Sequence, residues 1–296
     1  MSRKISVFRS PEGEAKSMAA YESALAHWPV PYKELDIPTQ FGTTHIILNG
    51  PVGTKPIVLL HGQDSSATSW IYNIADLSWD FRTYAVDTIG DMGKSEPTRL
   101  PTSRQDYTEW LLNVFDQLKL ENAGLIGLSY GGFPALNFSI AYPEQVNLIV
   151  LLAPGIPNFG PPTLQWANYG MPMILLPSRF TVERFINGTS TKGYLKEDPV
   201  QEQMIIGITN MQNVSFMRPV FTDEELSHVI APTLLLIGDH EIMYKPQKAL
   251  DNAARLIPNL QTELVPNANH MLNSDQPELI DARVLQFLAL DAASSE

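Results

Sequence analysis

Short runs of largely apolar residues recur along the chain and alternate with segments whose apolar residues have helical spacing. Apolar runs of this length are typical of strands buried on both faces of a parallel sheet. The segments predicted to be strands are 56–62, 82–87, 123–129, 146–154, 232–239 and 260–268. Because helix-like segments alternate with them, the sequence predicts an α/β fold, with a mostly parallel sheet flanked by helices.

Three further elements precede or connect these strands. Between residues 102 and 118, apolar positions predict a connecting helix, and Ser103 and Asp106 are placed as its N-terminal capping pair. The segments on either side of Gly42 predict an antiparallel hairpin at the edge of the sheet. A helix of about 15 residues, ending near Trp28, is predicted ahead of this hairpin.

The segment 154–221 breaks the alternation, since it opens with a proline-rich stretch and contains few strand-like runs. Five of the ten methionines lie there: Met171, Met173, Met204, Met211 and Met217. Flexible thioethers suit an adaptable pocket wall, although methionine is more often an ordinary core residue. We predict an α/β core at 1–153 and 222–296, with 154–221 as a helical cap inserted after a core strand. Thr222 and Glu225 are placed to cap the helix that follows the cap.

The composition restricts the classes of partner and chemistry. The chain has 296 residues, 44% of them hydrophobic, and can bury one large core. Its 20 basic and 32 acidic side chains give a net charge of -12, which disfavours nucleic acid and anionic membranes as partners. The chain has no cysteine, which excludes disulfides, thiolate nucleophiles and cysteine-held zinc. Residues 1–17 lack the apolar run of a signal peptide or membrane span, so we expect a cytoplasmic protein.

The most informative motif is G-x-S-x-G at residues 127–131, which follows an apolar run and precedes a helix-like segment. Between a strand and a helix this motif is a nucleophile elbow, which is typical of the α/β-hydrolase fold. Its glycines are needed because the sharp, strained turn leaves no room for side chains two residues to either side of the serine. Ser129 is therefore the candidate nucleophile, and an ordinary glycine-rich turn is the alternative.

A serine nucleophile needs a general base, and the positions of the six histidines favour one of them. Four lie in the N-terminal segment, the hairpin, the turn after the first parallel strand and the helix after the cap: His27, His45, His61 and His228. His240 and His270 remain, and His270 follows the final predicted strand, where this fold carries its base. A buried structural histidine is the alternative interpretation of this residue.

The third member of such a site is a carboxylate in the turn after the strand at 232–239. The sequence there offers both Asp239 and Glu241. In the pattern G-x-x-D of α/β hydrolases the acid is the third residue after the glycine, which favours Glu241. Asp239 stays open as the alternative, because a difference of one residue in the turn would exchange the two.

The negative charge of a tetrahedral intermediate needs donors, usually two backbone N–H groups. Tyr130, directly after the candidate nucleophile, is one candidate donor, and Gln63, in the turn after the first parallel strand, is the other. No Walker loop, H-E-x-x-H helix or G-x-G-x-x-G turn follows any predicted strand, so we expect neither a metal ion nor a cofactor.

Taken together, the chain resembles the bacterial carboxylesterases of the naproxen-esterase type, within the α/β-hydrolase superfamily. The similar stretches include PIVLLHG, RTYAVDTIGD, GLSYGG, LLLIGDHEIMY and NANH. The resemblance covers most of the predicted core and implies Ser129, Glu241 and His270 as the catalytic triad. It is weakest in the predicted cap. Gln63 and Tyr130 stand where small and aliphatic residues are expected, so the resemblance does not imply the acyl preference.

The expected function is that of a serine carboxylesterase, which hydrolyses a small-molecule ester through an acyl-enzyme intermediate. Hydrolysis of lactones, thioesters or carbon–carbon bonds, and perhydrolysis, use the same serine chemistry and stay open as alternatives. A small-molecule receptor that keeps the pocket without turnover is another alternative. Haloalkane dehalogenases and epoxide hydrolases of this fold have a carboxylate at the nucleophile position, so Ser129 argues against both.

Overall fold

The computed structural model of the chain describes residues 3–212 and 220–293. Within these ranges nine strands form one sheet: β1 (Lys33–Thr39), β2 (Gly42–Asn49), β3 (Pro56–Leu60), β4 (Arg82–Val86), β5 (Glu96–Pro97), β6 (Ala123–Leu128), β7 (Val146–Leu152), β8 (Thr233–Gly238) and β9 (Leu260–Val265). Their order is β1-β2-β4-β3-β6-β7-β8-β9, and β5 pairs with β2. The six strands from β4 to β9 along this order are parallel, whereas β1 and β2 form the predicted antiparallel hairpin at one edge.

Helices cover both faces of this sheet. The α-helices among the described residues are α1 (Pro11–Leu25), α2 (Ile74–Asp80), α3 (Arg104–Leu118), α4 (Gly132–Ala141), α5 (Leu164–Leu175), α6 (Arg179–Thr189), α7 (Pro199–Asn210), α8 (Asp223–Ser227), α9 (Pro246–Leu256), α10 (Leu272–Asp275) and α11 (Pro277–Ala293). None of these helices combines the length and the apolar character that crossing a bilayer requires. The predicted fold class, a mostly parallel sheet flanked by helices, is confirmed.

The core lies in two apolar layers, one on each face of the sheet. Along β3, Val58 and Leu60 belong to the layer that α3, α4 and α9 cover, whereas Ile57 and Leu59 belong to the layer under α2 and α11. Burial of one such side chain stabilises the fold by about 1.5–3 kcal/mol. Because both faces are covered, the central strands are apolar at successive positions, which is the pattern seen in the sequence.

Two of the predicted helix starts have reciprocal caps. The Ser103 hydroxyl accepts a hydrogen bond from the Asp106 N–H at 3.1 Å, and the Asp106 carboxylate accepts one from the Ser103 N–H at 3.1 Å. Thr222 and Glu225 pair in the same way at the start of α8. Such caps satisfy N–H groups that a helix leaves without partners, so local sequence fixes where α3 and α8 begin.

Among the described residues of the predicted cap segment are three helices, α5, α6 and α7, between β7 and α8. The N-terminal helix α1 packs against α7, and Phe8 forms an isolated antiparallel bridge with Met211. The division of the chain into a core and a cap at 154–221 stays a prediction.

Candidate active site

Ser129 lies at the turn between β6 and α4 and has a left-handed backbone conformation, with φ of 49°. A non-glycine residue in this region is strained by about 1–3 kcal/mol. The turn is also tight: a Cβ added to Gly131 would lie 2.0 Å from the carbonyl oxygen of Leu60, and one added to Gly127 would lie 2.5 Å from the Gly131 oxygen. The predicted need for both glycines is confirmed, and the turn exposes the serine to a cavity.

A chain of two hydrogen bonds links Ser129 to a carboxylate. The Ser129 Oγ lies 2.8 Å from His270 Nε2, and His270 Nδ1 lies 2.7 Å from Glu241 Oε2. The other Glu241 oxygen accepts a hydrogen bond from the Met243 N–H at 2.6 Å. Because Glu241 accepts from Nδ1–H, the Nε2 lone pair of neutral His270 faces the serine hydroxyl. The histidine and the glutamate are both buried.

Asp239, the alternative acid, lies outside this arrangement. Its carboxylate is 2.6 Å from His240 Nδ1 and accepts a hydrogen bond from the Ala268 N–H at 3.3 Å. His240 is largely exposed, whereas the Glu241 side chain is fully buried. The structure therefore brings Glu241, and not Asp239, to the candidate base.

The electrostatic surroundings of His270 favour its protonated form. Burial disfavours the imidazolium, but the carboxylates of Glu241 and Asp275 outweigh this effect and raise the pKa of His270. A histidine with a raised pKa binds a proton more strongly, which suits a base that removes the proton of a serine hydroxyl.

The turn that carries Gln63 runs beside the candidate nucleophile, and Tyr130 follows that serine directly in the chain. Gln63 follows β3, and Gln63, Ser129 and Tyr130 line the same cavity. A Cβ added to Gly62 would lie 3.4 Å from the Ser129 Cβ, so the turn after β3 runs directly beside the serine. A backbone that passes beside the serine is what an oxyanion donor at Gln63 requires.

His61 fixes the orientation of this turn, a role that the sequence argument missed. Its Nδ1 lies 2.7 Å from the Gly62 carbonyl oxygen, and its Nε2 accepts a hydrogen bond from the Thr88 N–H at 2.9 Å. Burial lowers the pKa of His61, so the ring is neutral and its Nδ1–H donates. The Gly62 carbonyl shares a trans peptide with the Gln63 N–H, and the two groups point in opposite directions. Holding the carbonyl therefore also aims the candidate donor.

The side chain of Tyr130 points into an aromatic cluster. Its ring centroid is 6.2 Å from that of Tyr107 and 5.5 Å from that of Phe133. These rings belong to the apolar layer that also includes α3 and α4. The departure from an aliphatic residue at this position is thus accommodated by aromatic packing.

The cavity beside Ser129 has a volume of about 470 Å³. Its walls include three of the methionines singled out from the sequence, Met173, Met204 and Met211. Met171 is 42% exposed on the protein surface, and Met217 lies outside the described residues. Met243, Met271, Ile156, Trp166, Ile174 and Phe185 also line the cavity. The wall is therefore largely apolar and rich in flexible thioethers, although charged side chains such as Arg9 and Asp64 also line it.

A buried polar contact joins the helix α7 to the short 3-10 helix at Ala67–Tyr72, which follows the turn after β3. Gln203 donates a hydrogen bond to the Ser66 hydroxyl at 2.8 Å and accepts one from the Thr68 hydroxyl. Nearby, the Tyr72 hydroxyl donates to the Asp198 carboxylate at 2.7 Å. These residues lie more than 100 positions apart in the sequence, and no local motif indicates their contact.

A mostly parallel sheet, with a serine at a strained turn after a central strand and a histidine–carboxylate pair beside it, is the arrangement of α/β hydrolases. The sequence profile of the alpha/beta hydrolase family matches residues 57–283, and the chain belongs to this family.

Named relatives cover nearly the whole chain. Carboxylesterase YbfK of Bacillus subtilis (strain 168) is 37% identical over 290 residues, which are 95% of this chain and 96% of the relative. The crystal structure of that carboxylesterase, also called CesB, matches with a TM-score of 0.87 over 94% of this chain and 98% of the other. The crystal structure of naproxen esterase (carboxylesterase NP) from Bacillus subtilis is 38% identical and matches with a TM-score of 0.87, over 95% and 99% of the two chains. The resemblance inferred from the sequence is confirmed.

Proposed function

We propose that this chain is a serine carboxylesterase in which Ser129 is the nucleophile, His270 the general base and Glu241 the acid of the triad. The observation that carries the proposal is the hydrogen-bonded chain from the Ser129 hydroxyl through His270 to Glu241, with the serine lining a cavity. The similarity to carboxylesterases over nearly the full chain supports the ester as the bond that is cleaved.

The reaction has two steps. Ser129 Oγ attacks the ester carbonyl carbon while His270 Nε2 takes its proton, and the resulting imidazolium gives that proton to the leaving alkoxide. The product of this step is an acyl-enzyme and a free alcohol. Water, deprotonated by His270, then attacks the acyl carbon, and Ser129 leaves with the returned proton. Glu241 holds the ring in the required tautomer and stabilises the imidazolium in both steps.

The N–H groups of Gln63 and Tyr130 are the proposed oxyanion donors. They follow β3 and β6, which are neighbouring strands whose carboxyl ends meet at the same edge of the sheet. Donors held by the protein stabilise the developing negative charge without reorganisation, and one such donor contributes about 100-fold or more to the rate.

The substrate proposed for this site is a small ester with an apolar acyl or alcohol group. A volume of about 470 Å³ is in the range of pockets that bind small organic molecules. The helices α5, α6 and α7 each contribute lining residues, which supports the proposal that 154–221 forms a cap over the substrate.

The test is the hydrolysis of p-nitrophenyl esters from acetate to laurate by the purified protein. We expect many turnovers per active site, with a burst of p-nitrophenol equal to the concentration of active sites when deacylation is the slower step. Tight retention of the ester with negligible turnover would instead identify a receptor. Turnover of lactones or thioesters in preference to all of these esters would move the function to another serine acyl hydrolase.

The pH dependence of kcat/KM should report the titration of His270. The base works only when neutral, so kcat/KM should fall by about tenfold per pH unit below the pKa of His270. Because that pKa is raised above the ordinary 6.5, the fall should begin above pH 6.5. Initial rates with p-nitrophenyl butyrate from pH 5 to 9 measure the midpoint.

A second group at the cavity has a pKa in this range, so its titration has to be distinguished from that of His270. Burial raises the pKa of Asp64 to about 6, and Asp64 lines the cavity. The fall in kcat/KM at low pH, which we call the acid limb, should persist in Asp64→Asn. A limb that disappears in this variant would assign the titration to Asp64 instead of His270.

A further inference from the structure

The loop that carries His270 is bonded to the end of α6, in the segment between β7 and α8. We call residues 267–275 the histidine loop and residues 188–192 the strap. On one side of the histidine, the Asn269 side-chain amide donates a hydrogen bond to the Gly188 carbonyl oxygen at 2.9 Å. The strap therefore contacts the residue directly before the candidate base.

Further hydrogen bonds continue this contact along the loop. The Met271 N–H donates to the Thr189 carbonyl oxygen at 3.0 Å, and the Thr191 hydroxyl donates to the Asn267 carbonyl oxygen at 3.0 Å. The loop is thus held at positions before and after His270. Its backbone cannot shift without breaking bonds to the strap.

Asp275 joins the two segments with a single carboxylate. The side chain is buried, and its Oδ2 accepts a hydrogen bond from the Asn269 N–H at 2.8 Å. Its Oδ1 accepts one from the Ser190 hydroxyl at 2.6 Å, and the Thr191 N–H lies 3.1 Å and 3.0 Å from the two oxygens. A carboxylate suits these donors because it accepts at both oxygens and donates at neither.

We propose that Asp275 is a positioning residue, which fixes His270 relative to Ser129 by tying the histidine loop to the strap. The inference rests on the proposed function and extends it, because the segment between β7 and α8 then takes part in orienting the general base as well as in lining the cavity. Misplacement of a catalytic group by about 1 Å can cost about 100-fold in rate.

The charge of Asp275 gives this role a second, measurable consequence. Two carboxylates act on His270: Glu241 from the turn after β8, and Asp275 from α10. The strap also carries a positive charge, that of Lys192, whose ammonium donates a hydrogen bond to the Ser274 carbonyl oxygen at 2.7 Å. Asp275 contributes to the raised pKa of His270, so a neutral side chain at 275 should lower that pKa.

The test compares Asp275→Asn with the wild type, with rates expressed per active site titrated by a fluorophosphonate. An amide at 275 presents an N–H₂ group to one of the N–H donors, so the loop should shift. We expect kcat to fall by about 100-fold per titrated site. We also expect the acid limb of kcat/KM to move to lower pH. Unchanged kcat together with an unchanged acid limb would overturn the inference.

Two companion variants separate positioning from charge and from folding. Ser190→Ala removes one strap bond but keeps the Asp275 charge, so kcat should fall while the acid limb stays in place. Asp275→Glu keeps the charge, and its acid limb should also stay. If Asp275→Asn fails to fold, an unchanged kcat in Ser190→Ala would overturn the link to the strap.

The matched control is Asp106→Asn, a buried aspartate at the start of α3 that does not line the cavity. Like Asp275, Asp106 accepts hydrogen bonds from two backbone N–H groups, those of Thr102 and Ser103. Its kcat per titrated site and its acid limb should match those of the wild type. A wild-type enzyme that neither turns over esters nor reacts with the fluorophosphonate would contradict the proposed function itself, whereas normal wild-type behaviour with an unaffected Asp275→Asn would contradict only the role of Asp275.

Discussion

Replacement of Ser129 by alanine should lower kcat for p-nitrophenyl butyrate by about 10⁶-fold, to the residual rate that binding and the oxyanion donors alone provide. The physical reason is the loss of the oxygen that we propose forms the acyl-enzyme. Substrate binding should change little, because the change removes one oxygen from the edge of the cavity. Steady-state rates and the loss of the p-nitrophenol burst measure the effect.

The matched control is Ser139→Ala, on the helix that follows the elbow. Ser139 is buried, and its hydroxyl donates to the Leu136 carbonyl oxygen at 2.9 Å, so the variant tests the loss of a buried serine hydroxyl away from the cavity. It should keep activity within a few-fold of the wild type. A Ser129→Ala protein that hydrolyses esters at the full rate would exclude the proposed mechanism.

Replacement of Glu241 by alanine should lower kcat by about 10⁴-fold, whereas Asp239→Ala should change it by less than about tenfold. Without the carboxylate at 2.7 Å from Nδ1, His270 loses both its fixed tautomer and the partner of its imidazolium. Asp239 contacts His240 and, at 3.3 Å, the backbone N–H of Ala268, so its loss removes one long hydrogen bond to the histidine loop and leaves the Glu241–His270 pair in place. Burst kinetics on both variants make the comparison.

The two carboxylates lie in the same turn, which makes them controls for each other. Far-UV circular dichroism and thermal unfolding should show that both variants fold, since Glu241→Ala leaves the Met243 N–H without its acceptor. If Asp239→Ala were the more damaging substitution, the acid of the triad would be Asp239, and the buried Glu241 would have a structural role.

Sequence reasoning located the elements whose determinants are local. The strands β3, β6 and β7 are apolar at successive positions because helices cover both faces of the sheet. In the sequence this burial appears as a run of apolar residues. The starts of α3 and α8 are set by residues three positions apart, so a short motif is enough to find them. The ends of elements were predicted less accurately: the predicted N-terminal helix ends near Trp28, whereas α1 ends at Leu25.

The residues of the candidate site differ in the same way, since local sequence indicates some of them and only distant contacts reveal the others. Ser129 and His270 follow from a motif and from the order of elements, so the sequence alone named them. The choice between Glu241 and Asp239 depends on how one turn folds, which a spacing rule can favour but not decide. The contacts of His61, Asp275 and Gln203 were missed because their partners lie elsewhere in the chain or are backbone groups, and such contacts leave no periodic or local signal.

The left-handed backbone of Ser129 makes this turn a place where stability and activity conflict during selection or engineering. Substitutions that relax the turn would recover part of the conformational free energy stored there, but they would also withdraw the hydroxyl from the cavity. Searches for thermostable variants would therefore tend to accumulate changes in this turn unless activity is screened at the same time. Stability gained in the two apolar layers, far from the turn, carries no such conflict.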